Sequence, residues 1–212
     1  MVKISNKCKI CRSLSQKLFL KGDKCYSPKC LMVKRPYPPG VKRKRPTLSK
    51  SEYKTQLTEK QKLKYYYMLT ETQLKNEIKK ILKRRGKVSD VAILFLQSLE
   101  RRLDNVIFRT NFALSRKHAR QLINHGFFKL NEKNINKAGI KVKKGDKITL
   151  RESKKTEKLK QLIKMRIKNF NPPQWLKIDK ENLIIEVIDD PIIDNQTIPP
   201  INLSFIFEFY SR

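Results

Sequence analysis

The segment "LERRLDNVIFRTNFALSRKHARQLINHGFFKLNEKNINKAGIKVKKGDKITL", residues 99–150, decides the fold of this chain. Ser115 can accept a hydrogen bond from the free amides at a helix start, and Gly126 can supply the left-handed residue after a helix end. A helix of about three turns is therefore predicted between them. Its buried stripe is predicted to consist of Ala119, Leu122 and Ile123. The β-prone segments "FFKL", "IKV" and "KITL" then predict a small antiparallel sheet packed on two helices.

Basic residues lie beside this apolar stripe. Arg116 and Arg120 are four residues apart on another face of the predicted helix, with Lys117 and Asn124 near them. Two arginines one turn apart can grip adjacent phosphates of a nucleic acid. Arg101 and Arg102 precede the helix and are also expected to contact phosphate. Asp104 is expected to orient a neighbouring arginine.

The charge of the whole chain also points to a polyanion. Fifty basic residues against 19 acidic ones give a net charge of +31, which opposes a compact isolated monomer. A lysine-rich surface inflated by A+T-biased codon usage is the alternative explanation. Residues 170–212 reverse the sign, with 3 basic and 7 acidic side chains, and this tail is expected to face a basic protein neighbour. The expected interface residues are Glu186, Asp189, Asp190, Glu208 and Tyr210.

Four cysteines near the start of the chain form two close pairs. Cys8 and Cys11 have Cys-x2-Cys spacing, and Cys25 and Cys30 have Cys-x4-Cys spacing. Two such pairs predict one structural zinc ion held by four thiolates, with neighbouring lysines favouring the thiolate form. No histidine lies nearby, as a catalytic zinc site would usually require. An iron–sulfur cluster at the same residues, free thiols or a disulfide are left open.

The remaining patterns divide the chain into four parts. Thr58 with Gln61 and Thr70 with Gln73 have capping-box spacing, which predicts a small helical domain. Thr156 to about Lys168 is predicted to be helical, and "NLIIEVI" and "INLSFIFEFYSR" are predicted to be late strands. The fold class predicted for the chain is α+β. Its predicted parts are a basic zinc-binding arm (1–46), an all-helical domain (47–99), an RNA-binding module of two helices on a small sheet (100–168) and C-terminal strands with an acidic tail (169–212). No apolar run predicts a membrane span or a secretory signal, so the protein is expected to be intracellular and soluble.

The sequence resembles a known family, ribosomal protein four of the small subunit in its bacterial or organellar form. The resemblance is carried by "CRSLSQKLFLKGDKCYSPKC" running into "KRPYPPG", by "EKQKLKYYYMLTETQLKNEIKKI", by "LERRLDNVIFRTNFALSRKHARQLINHGFFKLN" and by the terminal "FEFYSR". These motifs cover nearly the whole chain in family order. The family usually has Asn-Gly in the hairpin after "KL", whereas this chain has Asn131 and Glu132, so a different or strained turn is expected there.

The resemblance implies a protein that binds ribosomal RNA early in small-subunit assembly, at a multi-helix junction of the 5′ domain. It also implies a position near the channel through which mRNA enters, and a contact with ribosomal protein five that affects decoding accuracy. The zinc knuckles of some family members map onto the four cysteines. The resemblance implies localisation to the ribosome, either in the bacterial cytoplasm or in a plastid or mitochondrion.

The candidate RNA-binding residues are distributed over the arm, the helical domain and the module. They are Lys7, Arg12, Lys21, Lys24, Lys29, Lys34, Arg35, Lys42, Arg43, Lys44, Arg45, Lys62, Arg101, Arg102, Arg109, Ser115, Arg116, Lys117, Arg120, Gln121, Asn124 and Lys129. No catalytic residue is predicted, since His118 and His125 have no nucleophile or carboxylate set beside them. The alternative functions are a free regulatory RNA-binding protein, such as a translational repressor, and an accessory module of an RNA-modifying enzyme.

Overall fold

The structure of the chain is a computed structural model that describes residues 6–40, 51–83, 91–193 and 200–211. The helices of these residues are α1 (Lys7–Ser13), α2 (Asp23–Tyr26), α3 (Leu31–Lys34), α4 (Glu52–Tyr66), α5 (Glu71–Leu82), α6 (Val91–Glu100), α7 (Leu103–Arg109), α8 (Arg116–Asn124), α9 (Lys154–Ile167) and α10 (Leu203–Ser211). The strands are β1 (Phe128–Leu130), β2 (Lys133–Ile135), β3 (Lys147–Leu150), β4 (Leu176–Asp179) and β5 (Ile184–Val187). The predicted α+β class is confirmed.

The described residues divide into two compact units. The first draws on Met1–Phe95 and Asp194–Arg212, and the second on Leu96–Ile193. No helix of the described residues has the length and apolar character needed to cross a bilayer.

The central helices of the first unit begin at side-chain caps. Ser51 accepts a hydrogen bond from the amide of Lys54 at the start of α4. The predicted capping box of Thr70 and Gln73 is confirmed at the start of α5. The predicted helix start at Thr58 is wrong, because this residue lies inside α4 and its hydroxyl donates to the carbonyl of Lys54 at 2.7 Å.

Glu71 at the start of α5 collects three donors. Its carboxylate accepts hydrogen bonds from Lys60 Nζ at 2.9 Å, Lys64 Nζ at 3.0 Å and Tyr210 Oη at 2.7 Å. Burial alone would raise the pKa of Glu71, but these donors outweigh it and hold the pKa at about 2. Burial and the bond to Glu71 together raise the pKa of Tyr210. The cluster therefore ties α10 to α4 and α5 through a charged carboxylate.

The predicted final strand is wrong, since residues 203–211 form the helix α10. Asn202 accepts a hydrogen bond from the amide of Ser204 at 3.0 Å and so caps the first turn. Ile206 is fully buried, and the Phe207 and Phe209 rings pack against aromatic rings at 5.6 and 5.7 Å between centroids. A short run of apolar residues fits either a strand or a helix, and packing against α4 decides for the helix.

The second unit is built on a five-stranded antiparallel sheet with the strand order β2-β1-β3-β5-β4. Strand β5, from the predicted strand "NLIIEVI", pairs with β3 and so belongs to the same sheet. Strands β2 and β4 were not predicted. The segment "IKV" is not a strand and contributes an isolated bridge between Lys141 and Arg102. The predicted helix from Thr156 to about Lys168 is confirmed as α9.

The core of the second unit is formed by apolar residues of the sheet and of its helices. Residues Ala119 and Ile123 of α8 are fully buried in it, as predicted. The same core contains Leu103, Val106, Ile107, Phe112, Phe128, Ile148, Ile163, Ile167, Trp175, Leu176, Ile185 and Val187. The predicted packing of two helices on a small sheet is therefore confirmed.

The hairpin between β1 and β2 has a two-residue turn at Asn131 and Glu132. Both residues have positive φ, 46° and 66°, as a type I′ turn requires. The Asn131 side chain supports the turn, because its amide donates to Asp146 at 2.8 Å and its carbonyl accepts from the amide of Lys147 at 2.9 Å. Glu132 has a Cβ where glycine would be unstrained. The expected strain is therefore located at Glu132.

Replacing Glu132 with glycine should stabilise the second unit by roughly 0.5 to 1 kcal/mol, because it relieves the left-handed backbone strain. Urea unfolding followed by fluorescence of Trp175, the single tryptophan of the chain, measures the effect. Glu132→Ala is the matched control, since it removes the charge and keeps the Cβ. Equal stabilisation by both variants would show that charge, rather than backbone strain, is responsible.

Candidate nucleic-acid interface and cysteine cluster

Helix α8 has the ends that the sequence predicts. Ser115 lies in the N-cap position, and its hydroxyl accepts a hydrogen bond from the amide of His118 at 3.3 Å. Gly126 follows the helix with φ of 71°, and its amide donates to the carbonyl of Ile123. Ser115 is itself buried and used as a cap. Its predicted RNA contact is therefore not supported by its position.

Asp104 lies at the centre of a buried ion network beneath α8. Its side chain accepts from Arg102 Nε at 3.2 Å and Nη2 at 3.0 Å, and from Arg120 Nε at 3.0 Å and Nη2. All three residues are at least 91% buried. The prediction that Asp104 orients a neighbouring arginine is confirmed. The prediction that Arg102 and Arg120 face phosphate is corrected, because their guanidinium groups are buried and hydrogen-bonded to Asp104.

A second buried group lies next to the first. Arg116 donates from Nε to the Asn105 side chain at 2.7 Å, and its guanidinium lies 4.5 Å from the centre of the Phe108 ring. Asn105 in turn donates to Glu100 Oε2 at 2.7 Å, and Arg109 forms a two-point pair with Glu100. The expectation that Arg116 is available to phosphate is therefore corrected, because this residue is buried. Arg109 is half-buried, and its phosphate contact stays a prediction.

The outward face of α8 consists of different residues. Gln121 and Asn124 are exposed and Lys117 is half-buried, and the three lie at positions i, i+4 and i+7 on one face of the helix. Lys129 on β1 is also half-buried. These four predicted residues have side chains that can reach a ligand in solution, and the structure leaves their RNA contacts as predictions.

Several exposed basic residues were not singled out from the sequence. They lie around the hairpin, in the loop after it and at the two ends of β3, and they are Lys133, Lys137, Lys141, Lys143, Lys144, Lys147 and Arg151. Lys144 and Lys147 form solvent-exposed pairs with Asp189 and Glu186. The excess of 13 basic over 3 acidic residues in 101–150 is the signal that could have identified them. Together they make the surface of this unit strongly positive.

The four cysteines are brought to one place in the first unit. Cys8, Cys11, Cys25 and Cys30 line a common cavity with Lys7, Lys17, Leu20, Lys21 and Met32. Cys11, Cys25 and Cys30 are buried, and Cys25 Sγ accepts a hydrogen bond from the amide of Lys21 at 3.3 Å. Among the described residues, no group of three or more Cys, His, Asp or Glu side chains is arranged as it would be around a bound metal ion.

Burial raises the pKa of the Cys11 and Cys25 thiols, and repulsion from the neighbouring cysteines raises it further. A nearby lysine, Lys17, does lower the pKa of Cys25, but burial outweighs its effect. Four thiols around one cavity nevertheless match the donor set of a structural zinc site, because a divalent cation would offset both the burial and the mutual repulsion.

The other predicted basic residues of the first unit differ in exposure. Lys21, Lys24, Lys29, Lys34 and Arg35 are exposed. Arg12 instead donates to the carbonyls of Tyr37 at 2.8 Å and Pro38 at 3.3 Å, and so holds the proline-rich segment against α1. Lys62 pairs with Glu59 at 2.7 Å. Lys42, Arg43, Lys44 and Arg45 lie outside the described residues.

The acidic residues predicted to meet a protein neighbour have partners within the chain. Asp190 pairs with Arg101, and Tyr210 donates to Glu71. Glu208 accepts a hydrogen bond from Gln56 at 3.1 Å, and Asp189 and Glu186 pair with lysines as described above. These pairs lie within the chain, and the contact of the acidic side chains with another protein stays a prediction. Arg101, the partner of Asp190, keeps 34% of its side chain exposed, and its phosphate contact stays a prediction.

His118 is half-buried, and its Nδ1 accepts a hydrogen bond from the amide of Leu114 at 3.3 Å. Burial and the nearby charge of Arg166 lower the pKa of His118. These contacts give the imidazole a structural role at the start of α8.

Comparison with known proteins covers both units. Residues 3–100 match the family described as "Ribosomal protein S4/S9 N-terminal domain", and residues 101–148 match the family described as "S4 domain". The border between the two matches falls at the end of α6.

Three relatives illustrate the similarity, each named "Small ribosomal subunit protein uS4". The protein of Thermus thermophilus is 38% identical over 207 residues, that of Syntrophomonas wolfei is 40% identical over 205 residues, and that of Caldicellulosiruptor saccharolyticus is 42% identical over 206 residues. Each alignment covers 97% of this chain and 96% of the relative.

Replacing Asp104 with asparagine should destabilise the second unit by about 3 kcal/mol or more, because two buried arginines lose their countercharge. Urea unfolding followed by Trp175 fluorescence measures this loss. Asp189→Asn is the matched control, since Asp189 forms an exposed pair with Lys144 and its removal should leave stability unchanged within error. Equal effects of the two variants would contradict the central role of the buried network.

Proposed function

The chain belongs to the family of small-subunit ribosomal protein uS4, and from this premise we propose that it is a structural component of the small ribosomal subunit that binds ribosomal RNA. The observation that carries the proposal is the match to small-subunit proteins over 97% of the chain. The family consists of structural ribosomal proteins and is not an enzyme family. The site of action is accordingly the ribosome, in a bacterium or in an organelle.

In the proposed mechanism, the buried arginines set the shape of the second unit and the exposed side chains contact RNA. Lys117, Gln121 and Asn124 lie on the open face of α8, and the exposed lysines of the hairpin and following loop add positive charge. Such side chains bind phosphate and sugar and carry little sequence information. The protein would therefore recognise the shape of a folded RNA rather than a base sequence.

The finer role follows from the resemblance of the motifs. We propose that the chain binds the 5′-domain junction early and nucleates assembly there, and that it lies near the channel through which mRNA enters. The two positively charged units support this role, because a protein with two basic surfaces can hold separate RNA helices together. Charge repulsion would keep the isolated protein from an especially stable compact state until RNA is bound.

A contact with ribosomal protein five, with an influence on decoding accuracy, is proposed for the acidic side chains near the end of the second unit. Asp189 and Asp190 form pairs within the chain and still have 67% and 55% of their side chains exposed. Their outer oxygens can therefore accept hydrogen bonds from a basic neighbour. The internal pairs would fix the direction in which these carboxylates point.

A structural zinc ion is proposed for the cysteine cluster. Cys8, Cys11, Cys25 and Cys30 would hold it through four thiolates, and a bound ion would supply the cross-link between α1, α2 and α3. Metal binding of this kind contributes about 10 kcal/mol or more to folding, which suits a segment with little apolar surface to bury.

The RNA contacts of α8 can be tested by the salt dependence of binding to small-subunit ribosomal RNA. Lys117→Gln should reduce the slope of log affinity against log salt by about 0.7 to 0.9, the value for one phosphate contact. The matched control is Lys180→Gln, because Lys180 is exposed in the acidic C-terminal segment. An unchanged slope for Lys117→Gln would overturn its assignment, and absence of wild-type binding together with failure to sediment with small subunits would overturn the proposed function.

The zinc site can be tested by elemental analysis of the purified full chain, which should contain about one zinc ion per molecule. The double variant Cys8→Ser with Cys11→Ser should lose the metal. His125→Ala should retain it, since His125 is an exposed ligand-type residue outside the arm. A wild-type protein without metal would contradict the site. Detection of iron and acid-labile sulfide would show that the same cysteines bind an iron–sulfur cluster instead of zinc.

A further inference from the structure

Tyr26 and Phe19 form an exposed aromatic pair beside the cysteine cluster. Their ring centroids lie 4.9 Å apart with an interplanar angle of 30°, so the two rings are stacked. Tyr26 is nevertheless 68% exposed, among the highest values of the large apolar side chains in the described residues. One face of the tyrosine ring stacks on Phe19, and the residue as a whole remains largely exposed to solvent.

The backbone holds Phe19 in a conformation that a bulky residue rarely adopts. Its φ is 52°, in the left-handed region, and the residues on either side, Leu18 and Leu20, are 1% and 5% exposed. The two buried leucines fix the loop on both sides, so the phenylalanine ring between them is held at the surface. Strained positions of this kind persist where the surrounding structure determines them, and they occur often at binding sites.

The surroundings of the pair are strongly basic. Lys17 Nζ lies 5.3 Å from the centre of the Phe19 ring. Lys21, Lys24 and Lys29 are exposed neighbours in the sequence, and Asp23 is the single acidic residue among residues 1–50. An exposed aromatic face within such a charge field combines the two features that bind unpaired nucleotides, a stacking surface for the base and cations for the phosphates.

We propose that the Tyr26–Phe19 pair is a stacking site for an unpaired RNA nucleotide. The base stacks on the outer face of Tyr26, while the phosphates on either side contact the lysines at positions 17, 21, 24 and 29. The inference rests on the proposed RNA-binding function and adds a specific contact to it. Charge complementarity favours RNA over a protein partner, because a protein would have to bring acidic groups to all of these lysines.

Stacking on a tyrosine face contributes a recognisable part of the affinity. Removal of an aromatic side chain that stacks on one base typically weakens binding by about 5- to 150-fold. The contribution depends on the base and on the ring, and a purely electrostatic contact depends on neither. Comparing RNA with a polyanion that has no bases therefore distinguishes base stacking from purely electrostatic binding.

The test uses the full chain and two probes, an oligoadenylate of about 10 nucleotides containing 2-aminopurine and inorganic polyphosphate of similar charge. Tyr26→Leu should weaken binding of the oligoadenylate by about fivefold or more and should reduce the quenching of 2-aminopurine fluorescence on binding. Its binding of polyphosphate should be unchanged. Tyr26→Phe should behave as wild type. Tyr53→Leu is the matched control, because Tyr53 is also an exposed tyrosine packed on a phenylalanine, and it should have no effect.

Equal loss of both probes in Tyr26→Leu would indicate a structural role of Tyr26 and overturn the stacking site. Unchanged binding of the oligoadenylate would overturn it as well. If wild type and Tyr26→Leu both bind small-subunit ribosomal RNA and sediment with small subunits to the same extent, the stacking site is wrong while the proposed function stands. Failure of the wild type in those assays would reject the proposed function itself.

Discussion

Arg102 and Arg120 share the buried carboxylate of Asp104, and the geometry of the second unit depends on this interaction. Burying a charged group costs free energy unless an opposite charge lies close to it. The pairing with Asp104 therefore holds the start of α7 and the middle of α8 at fixed positions. The backbone around Arg102 extends the constraint to the loop before β3. Leu103 donates its amide to the carbonyl of Ile140, and Val142 donates to the carbonyl of Arg101. These hydrogen bonds fix the backbone of the loop, and the loop's lysines are therefore held at defined positions on the surface.

The second unit uses its two basic residue types differently. Arginine, whose planar group forms two-point bonds and is weakly hydrated, pairs with Asp104 and with Glu100 in the interior. Lysine, which is strongly hydrated and flexible, remains at the surface of the hairpin and the loop. An interface dominated by lysines favours contacts with phosphates over contacts with base edges. Recognition by this unit should therefore depend on the shape of the RNA and on salt concentration.

The sequence predicts those features that are decided by neighbouring residues. The Ser115 cap, the Gly126 end and the capping box at Thr70 are local, and the structure confirms them. The environment of Arg120 was predicted wrongly, because its partner Asp104 lies 16 residues earlier and is met only in the folded unit. Helix α10 was missed because its apolar run fits two periods and packing against α4 decides between them.

The cysteine cluster and the aromatic pair lie in one small segment, and ordering this segment costs free energy for two reasons. The arm buries few apolar side chains, chiefly Leu18 and Leu20, and it holds Phe19 in a strained conformation. Without a cross-link, RNA binding would have to supply the free energy for ordering this loop, and affinity would fall accordingly. A zinc ion at the four thiols would supply that free energy before RNA arrives. Metal and RNA would then be coupled thermodynamically, because the first ligand orders the surface that the second one binds.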